Sequence, residues 1–170
     1  MAATMSVRDN SLKHDVSLRE HVLYLLKGDG AHLDFDTAVK DVPAALRGKK
    51  PTGAAHTPWQ VLEHLRITQA DVLASLRNPD HQSPEFPAGY WPRTEAPLND
   101  RAWSKSAEEF RADHKALIEL VTSQTSDLLA PLQGTDGQTI LRKVLMLADH
   151  NSYHLGELVV VRRALGAWQE

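Results

Sequence analysis

The 170-residue chain contains no cysteine. Disulfides, thiolate metal ligands and a cysteine nucleophile are therefore excluded. A cysteine-free chain also fits a reducing, cytoplasmic setting. Long apolar runs are missing as well: none is long enough to span a bilayer, and residues 1–20 lack the apolar core of a signal peptide. No block of like charge stands out. With 19 Lys and Arg against 22 Asp and Glu, the formal charge is −3, so neither nucleic acid nor a membrane surface is an expected partner. The sequence has no Gly-rich phosphate loop and no G-x-S-x-G elbow, which removes support for nucleotide hydrolysis and serine-hydrolase chemistry. It also shows no period-two strand pattern and no internal repeat.

What is present reads as helix. A hydrophobic fraction of 42% and a charged fraction of 24% are those of an ordinary globule, and the length suits one domain. Residues 1–16 are polar and are expected to be a flexible N-terminal segment before a single domain over 17–170. From Ser17, Leu18, Val22, Leu25 and Leu26 recur at helical spacing until Gly28 and Gly30. A short helix is expected over 34–42. Thr57-Pro58-Trp59-Gln60 offers an N-cap, a proline at the first helical position and a capping-box glutamine, with the helix running to Arg77. Residues 78–103 hold five prolines and four large aromatics, too aromatic for a disordered linker, and read as an ordered loop covering part of the bundle. Ser104 or Ser106 is expected to start a third long helix, since Ser106-Ala-Glu-Glu109 has capping-box spacing. The last helix spans about 138–165 and ends at Gly166. Four long helices with short extras imply an all-α, four-helix-bundle architecture.

The chemistry concentrates in Asp149-His150-Asn151-Ser152-Tyr153-His154-Leu155-Gly156-Glu157. Positions i and i+4 of a helix share a face, so His150 and His154 can grip one divalent metal. Position 151 is Asn rather than the Glu of a zinc-protease H-E-x-x-H motif, so that chemistry is not supported. His64, on the helix after Thr57, is the best third donor in the sequence. Three histidines leave coordination positions open, as catalytic rather than closed structural sites do. Glu157, one turn past His154, is a candidate general base, with a hydrogen bond or salt bridge as its other reading. Other residues are read blandly. Asp149 is a solvated or paired carboxylate, and His32 and Asp36 are surface residues that could flank a pocket. His21 sits at a helix interface, Tyr153 packs against another helix, and Tyr90 and Trp91 pack in the loop. His14, His56, His81 and His114 are loop or surface residues.

Trp59-Gln-Val-Leu-Glu63-His64-Leu65, followed by Asp149-His150-Asn-Ser-Tyr-His154-Leu-Gly-Glu157, resembles the DinB/YfiT-like family of metalloenzymes. His56-Thr-Pro-Trp59 and Gly89-Tyr-Trp91-Pro92 strengthen the match, which covers residues 17–166. The resemblance implies a four-helix bundle with a divalent metal held by His64, His150 and His154. Zinc or nickel is expected, with iron or manganese also compatible with imidazole donors. It further implies a small-molecule substrate, with a low-molecular-weight thiol as cosubstrate of a thiol S-transferase-like reaction, or a related hydrolysis. Where many members of that family have Gln, this chain has Glu157. A homodimer is expected, with Trp168 docked on its own bundle or on a partner's. A different class stays open: a non-catalytic bundle whose metal or histidine cluster is structural, in a stress-related binding role.

Overall fold

The computed structural model describes residues 7–28 and 30–168. Among the described residues there are five α-helices: α1 (Val7–Lys27), α2 (Phe35–Val39), α3 (Pro58–Arg77), α4 (Asp100–Thr122) and α5 (Ile140–Ala164), with 3-10 turns at Ala44–Leu46 and Ala88–Tyr90. There is no strand among the described residues, only an isolated bridge between Pro131 and Thr139. The four long helices make the bundle: α3 packs on α4 and α5, and α1 closes it against the same two helices. Among the described residues no helix is long and apolar enough to cross a membrane.

The helix limits follow from the caps. The Thr57 side chain accepts from the Gln60 amide while the Gln60 side chain accepts from the Thr57 amide, so the expected capping box is formed. Thr139 caps α5 in the same one-sided manner as Asn99 caps α4. Two expected starts are corrected. Helix α1 begins at Val7, ahead of Ser17, because the polar residues preceding Ser17 continue its turns without adding an apolar stripe. Arg19 anchors this helix: it is 7% exposed and donates to the carbonyls of Val121, Ser123 and Ser126 at the end of α4, groups that lack helical partners. Helix α4 starts at Asp100, capped by Asn99, rather than at Ser104 or Ser106. Ser106 instead lies inside the helix, buried, and its hydroxyl has no partner.

Trp59, Leu62 and Leu65 of α3 pack with Trp103 and Phe110 of α4 and Leu155 and Leu158 of α5. A second cluster joins Val22 and Leu26 of α1 to Val121 and Val144. Tyr153 does not pack against another helix as expected. Its side chain stands outward, 73% exposed, on the far side of α5 from the core. Trp168 docks on its own chain, its ring 4.7 Å from the Arg162 guanidinium.

Residues 78–99 form the ordered loop, and they are fastened to α3 along its length. His81 Nε2 and the Tyr90 hydroxyl both donate to Asp71. Farther along, the Trp59 indole donates to Thr94, and the Thr57 hydroxyl donates to the Glu95 carbonyl at 2.6 Å. Thr57 thus serves both as helix cap and as anchor for this strap, and it is fully buried. Thr57→Ala is expected to destabilise the fold by about 1–2 kcal/mol, read from chemical denaturation, with Thr57→Ser recovering most of the loss.

Candidate metal centre

The stripe of α3 that carries Val61, Leu65, Thr68 and Val72 faces the bundle interior, and His64 lies on it. On α5, Leu147, His154, Leu158 and Val161 are buried, and His150 is half-buried beside them. Packing of α3 on α5 brings the three rings together. His64 Nε2 is 2.9 Å from His150 Nε2 and 3.1 Å from His154 Nε2. One nitrogen from each of the three residues lies within 4.8 Å of the others.

The protons on the far sides of the rings decide what these short distances mean. His64 Nδ1 sits 2.8 Å from the Tyr90 carbonyl oxygen, which can only accept. His154 Nδ1 sits 2.7 Å from Glu157 Oε2, which as a carboxylate can only accept. Both Nδ1 atoms therefore carry the proton, and in the neutral rings both Nε2 atoms present lone pairs to one another. Burial lowers the pKa of His64. It pushes His150 down to about 4, helped by the neighbouring His154 and His64 charges. Lone pairs aimed at one point repel unless a cation lies between them. Two nitrogens bound to one zinc at about 2.0–2.1 Å stand roughly 2.8–3.4 Å apart for angles between a right angle and tetrahedral. The two separations from His64 fall within that range, so the donor set fits a divalent transition metal.

Each of the three histidines has a support. Glu157 accepts from His154 through Oε2 and from His56 Nδ1 through Oε1, both at 2.7 Å. Burial raises its pKa, but the His154 and His56 hydrogen bonds outweigh this, and the net shift is downward. The carboxylate is thus ionised and fully engaged. Trp91 lies between two imidazoles, its ring 3.8 Å from that of His56 and 3.8 Å from that of His64. Behind His150, Asn151 Oδ1 is 3.4 Å from Nδ1. The Asn151 amide donates to Gln69, whose own amide donates to the Phe110 carbonyl. This buried chain ties α5 to α3 and α4 at the level of the site.

Of the expected site residues, His64, His150 and His154 come together, and Glu157 stands behind His154. Asp149 is exposed. His32 and Asp36 do flank a cavity, but a different one, of about 280 Å³ between α1, α4 and α5. His114 belongs to that cavity too. It lies inside α4 with its Nδ1 buried and unpartnered, not on the surface as expected. His21 and His14 are exposed, and His81 pairs with Asp71. The residue missed was His56, read as a loop histidine. Its signal was its place directly before the Thr57 cap, which sets it at the entrance of the ligand helix. Tyr90 acts through its backbone carbonyl, which no side-chain pattern announces.

A comparison with protein families matches the DinB superfamily over residues 29–158, a span that holds all three histidines. The chain belongs to the DinB superfamily. No curated protein and no solved structure matches it significantly. In this DinB protein the three clustered histidines could hold a metal ion.

Because Glu157 fixes the His154 tautomer, Glu157→Ala is expected to weaken zinc binding about 10–100-fold, measured by competition with a chromophoric chelator. In metal-free protein the unfolded chain binds protons to His150 at its ordinary value of 6.5 while the folded state resists protonation to about 4. Stability is therefore present above pH 6.5 and falls as pH drops from there toward about 4. Melting temperatures taken across that window should flatten in His150→Gln.

Proposed function

We propose that this protein is a metal-dependent enzyme in which His64, His150 and His154 hold one divalent ion and the adjoining cleft receives a small-molecule substrate. The observation carrying the reading is the set of three converging imidazole nitrogens, two of them with tautomers fixed by the Tyr90 carbonyl and Glu157. An ion held there supplies Lewis acidity, lowering the pKa of a thiol or water beside it. Zinc and nickel suit three imidazoles best, with iron and manganese next.

The chain's own residues do the remaining work. Tyr90 and Glu157 hold the ring proton on Nδ1 of His64 and His154 and so aim each Nε2 at the site. Trp91 covers one face of His64 and keeps solvent from it. Glu157 is assigned to orienting His154 and His56, because both of its oxygens are already engaged. A direct proton-accepting role would require it to release His56. His56 is only part-buried and offers a path from Glu157 toward solvent. The second reactant is a low-molecular-weight thiol in an S-transferase-like reaction, or water in a hydrolysis.

The competing reading is a structural ion in a non-catalytic bundle. A closed structural site takes four protein ligands. Among the described residues the cluster has three, Glu157 turns away to the Nδ1 side of His154, and an open cleft adjoins it. These features favour the enzyme.

Metal analysis of protein purified without a nickel column tests the reading. Close to one equivalent of metal is expected after reconstitution, and uptake should be lost in His64→Ala and His154→Ala. Less than about a tenth of an equivalent in wild type overturns it. With cobalt in the site, a small thiol that shifts the visible spectrum identifies thiolate ligation, whereas a silent spectrum assigns water.

A further inference from the structure

The cleft beside the three histidines measures about 450 Å³, enough for a small organic molecule. Beyond the imidazoles and Trp91, its walls are Val72, Phe86, Pro87, Tyr90 and Met146. Phe86 is 83% and Met146 46% exposed, so the mouth offers apolar surface that a ligand would cover. No Lys or Arg lines the cleft among the described residues. Its one carboxylate, Asp71, already accepts from the Tyr90 hydroxyl and from His81. A negative charge on the substrate body would lose hydration here and meet no cationic side chain.

One polar group in this wall is unused. Thr68 lies one turn after His64 on the same face of α3 and lines the cleft. It is 7% exposed, and its hydroxyl has no hydrogen-bond partner. A helical threonine ordinarily satisfies its hydroxyl on the carbonyl of the preceding turn, and here it does not. Exchange between the two rotamers open to threonine on a helix rotates its hydroxyl by about 120°. Such an exchange can turn the oxygen toward a bound molecule without moving the backbone.

We infer that the substrate of this centre is an uncharged molecule with a ring-sized apolar body and one hydrogen-bonding group, and that Thr68 is the residue that recognises that group. This deepens the metal-enzyme reading and rests on it for the position of the reacting end. The hydroxyl can donate or accept, so it reads the presence of a polar group more than its kind. The apolar walls exclude competitors that carry a carboxylate or phosphate on the body.

The test measures binding, not turnover. Ligand-observed NMR with p-cresol, toluene and 4-hydroxyphenylacetate is run on zinc-loaded and on metal-free protein. In both forms p-cresol is expected to bind about tenfold more tightly than toluene, the difference of one net hydrogen bond, and more tightly than the charged probe in the metal-free form. Thr68→Val should make p-cresol and toluene equal while leaving zinc uptake unchanged and the melting temperature unchanged or raised. Thr68→Ser should keep the preference. The inference is overturned by a Thr68→Val variant that retains the p-cresol preference, or that melts lower, since the hydroxyl would then have a structural partner. Equal binding of the charged probe to metal-free protein, or no binding of any probe, overturns it as well. Failure to take up zinc would instead sink the metal reading, and the metal-free comparison of p-cresol with toluene would still decide the role of Thr68.

Discussion

Three converging imidazole nitrogens, with His64 Nε2 2.9 Å from that of His150 and 3.1 Å from that of His154, are the constraint around which this molecule is organised. Neutral rings with their protons on the far side cannot hydrogen-bond to each other, so the arrangement is costly until a cation joins them. The cost is distributed over groups that hold the rings in place. The Tyr90 carbonyl lies behind His64, Glu157 behind His154, and the chain of Gln69 and Asn151 behind His150. Glu157 and Asn151 come from α5 itself, Gln69 from α3 and the Tyr90 carbonyl from the strap.

The strap of residues 78–99 is therefore as much a part of the centre as the two ligand helices. It supplies no metal ligand, but it carries the carbonyl that fixes one tautomer and the indole that covers two imidazoles. Its attachments run from Asp71 to Thr57 on α3, so the helix that presents His64 also holds the segment that orients it. The Tyr90 hydroxyl belongs to this fastening. Burial first, and then the Asp71 carboxylate, raise its pKa, so it stays protonated as a donor.

The parts legible in the sequence were those with a period or a cap. The i, i+4 spacing of His150 and His154 and the amphipathic setting of His64 pointed to one site, and Thr57-Pro58-Trp59-Gln60 gave the start of α3 to the residue. Helix α1 was read too short because its early turns carry no apolar stripe. The start of α4 was misplaced because Asn99 caps alone, without a carboxamide or carboxylate three residues on, while Ser106 imitates a cap from inside the helix. His56 and the Tyr90 carbonyl escaped for a different reason. Their roles exist only once residues distant in the chain have met, and neither lies on a helix whose period could have placed it.

The sandwich of Trp91 between His56 and His64 has an optical consequence. An indole held face to face with two titratable rings senses their charge through its π-system. One partner belongs to the three-histidine cluster and the other touches Glu157, so a change at either end of the site passes through the same chromophore. The protein thus carries, within its own sequence, a reporter of the electrostatic state of its centre.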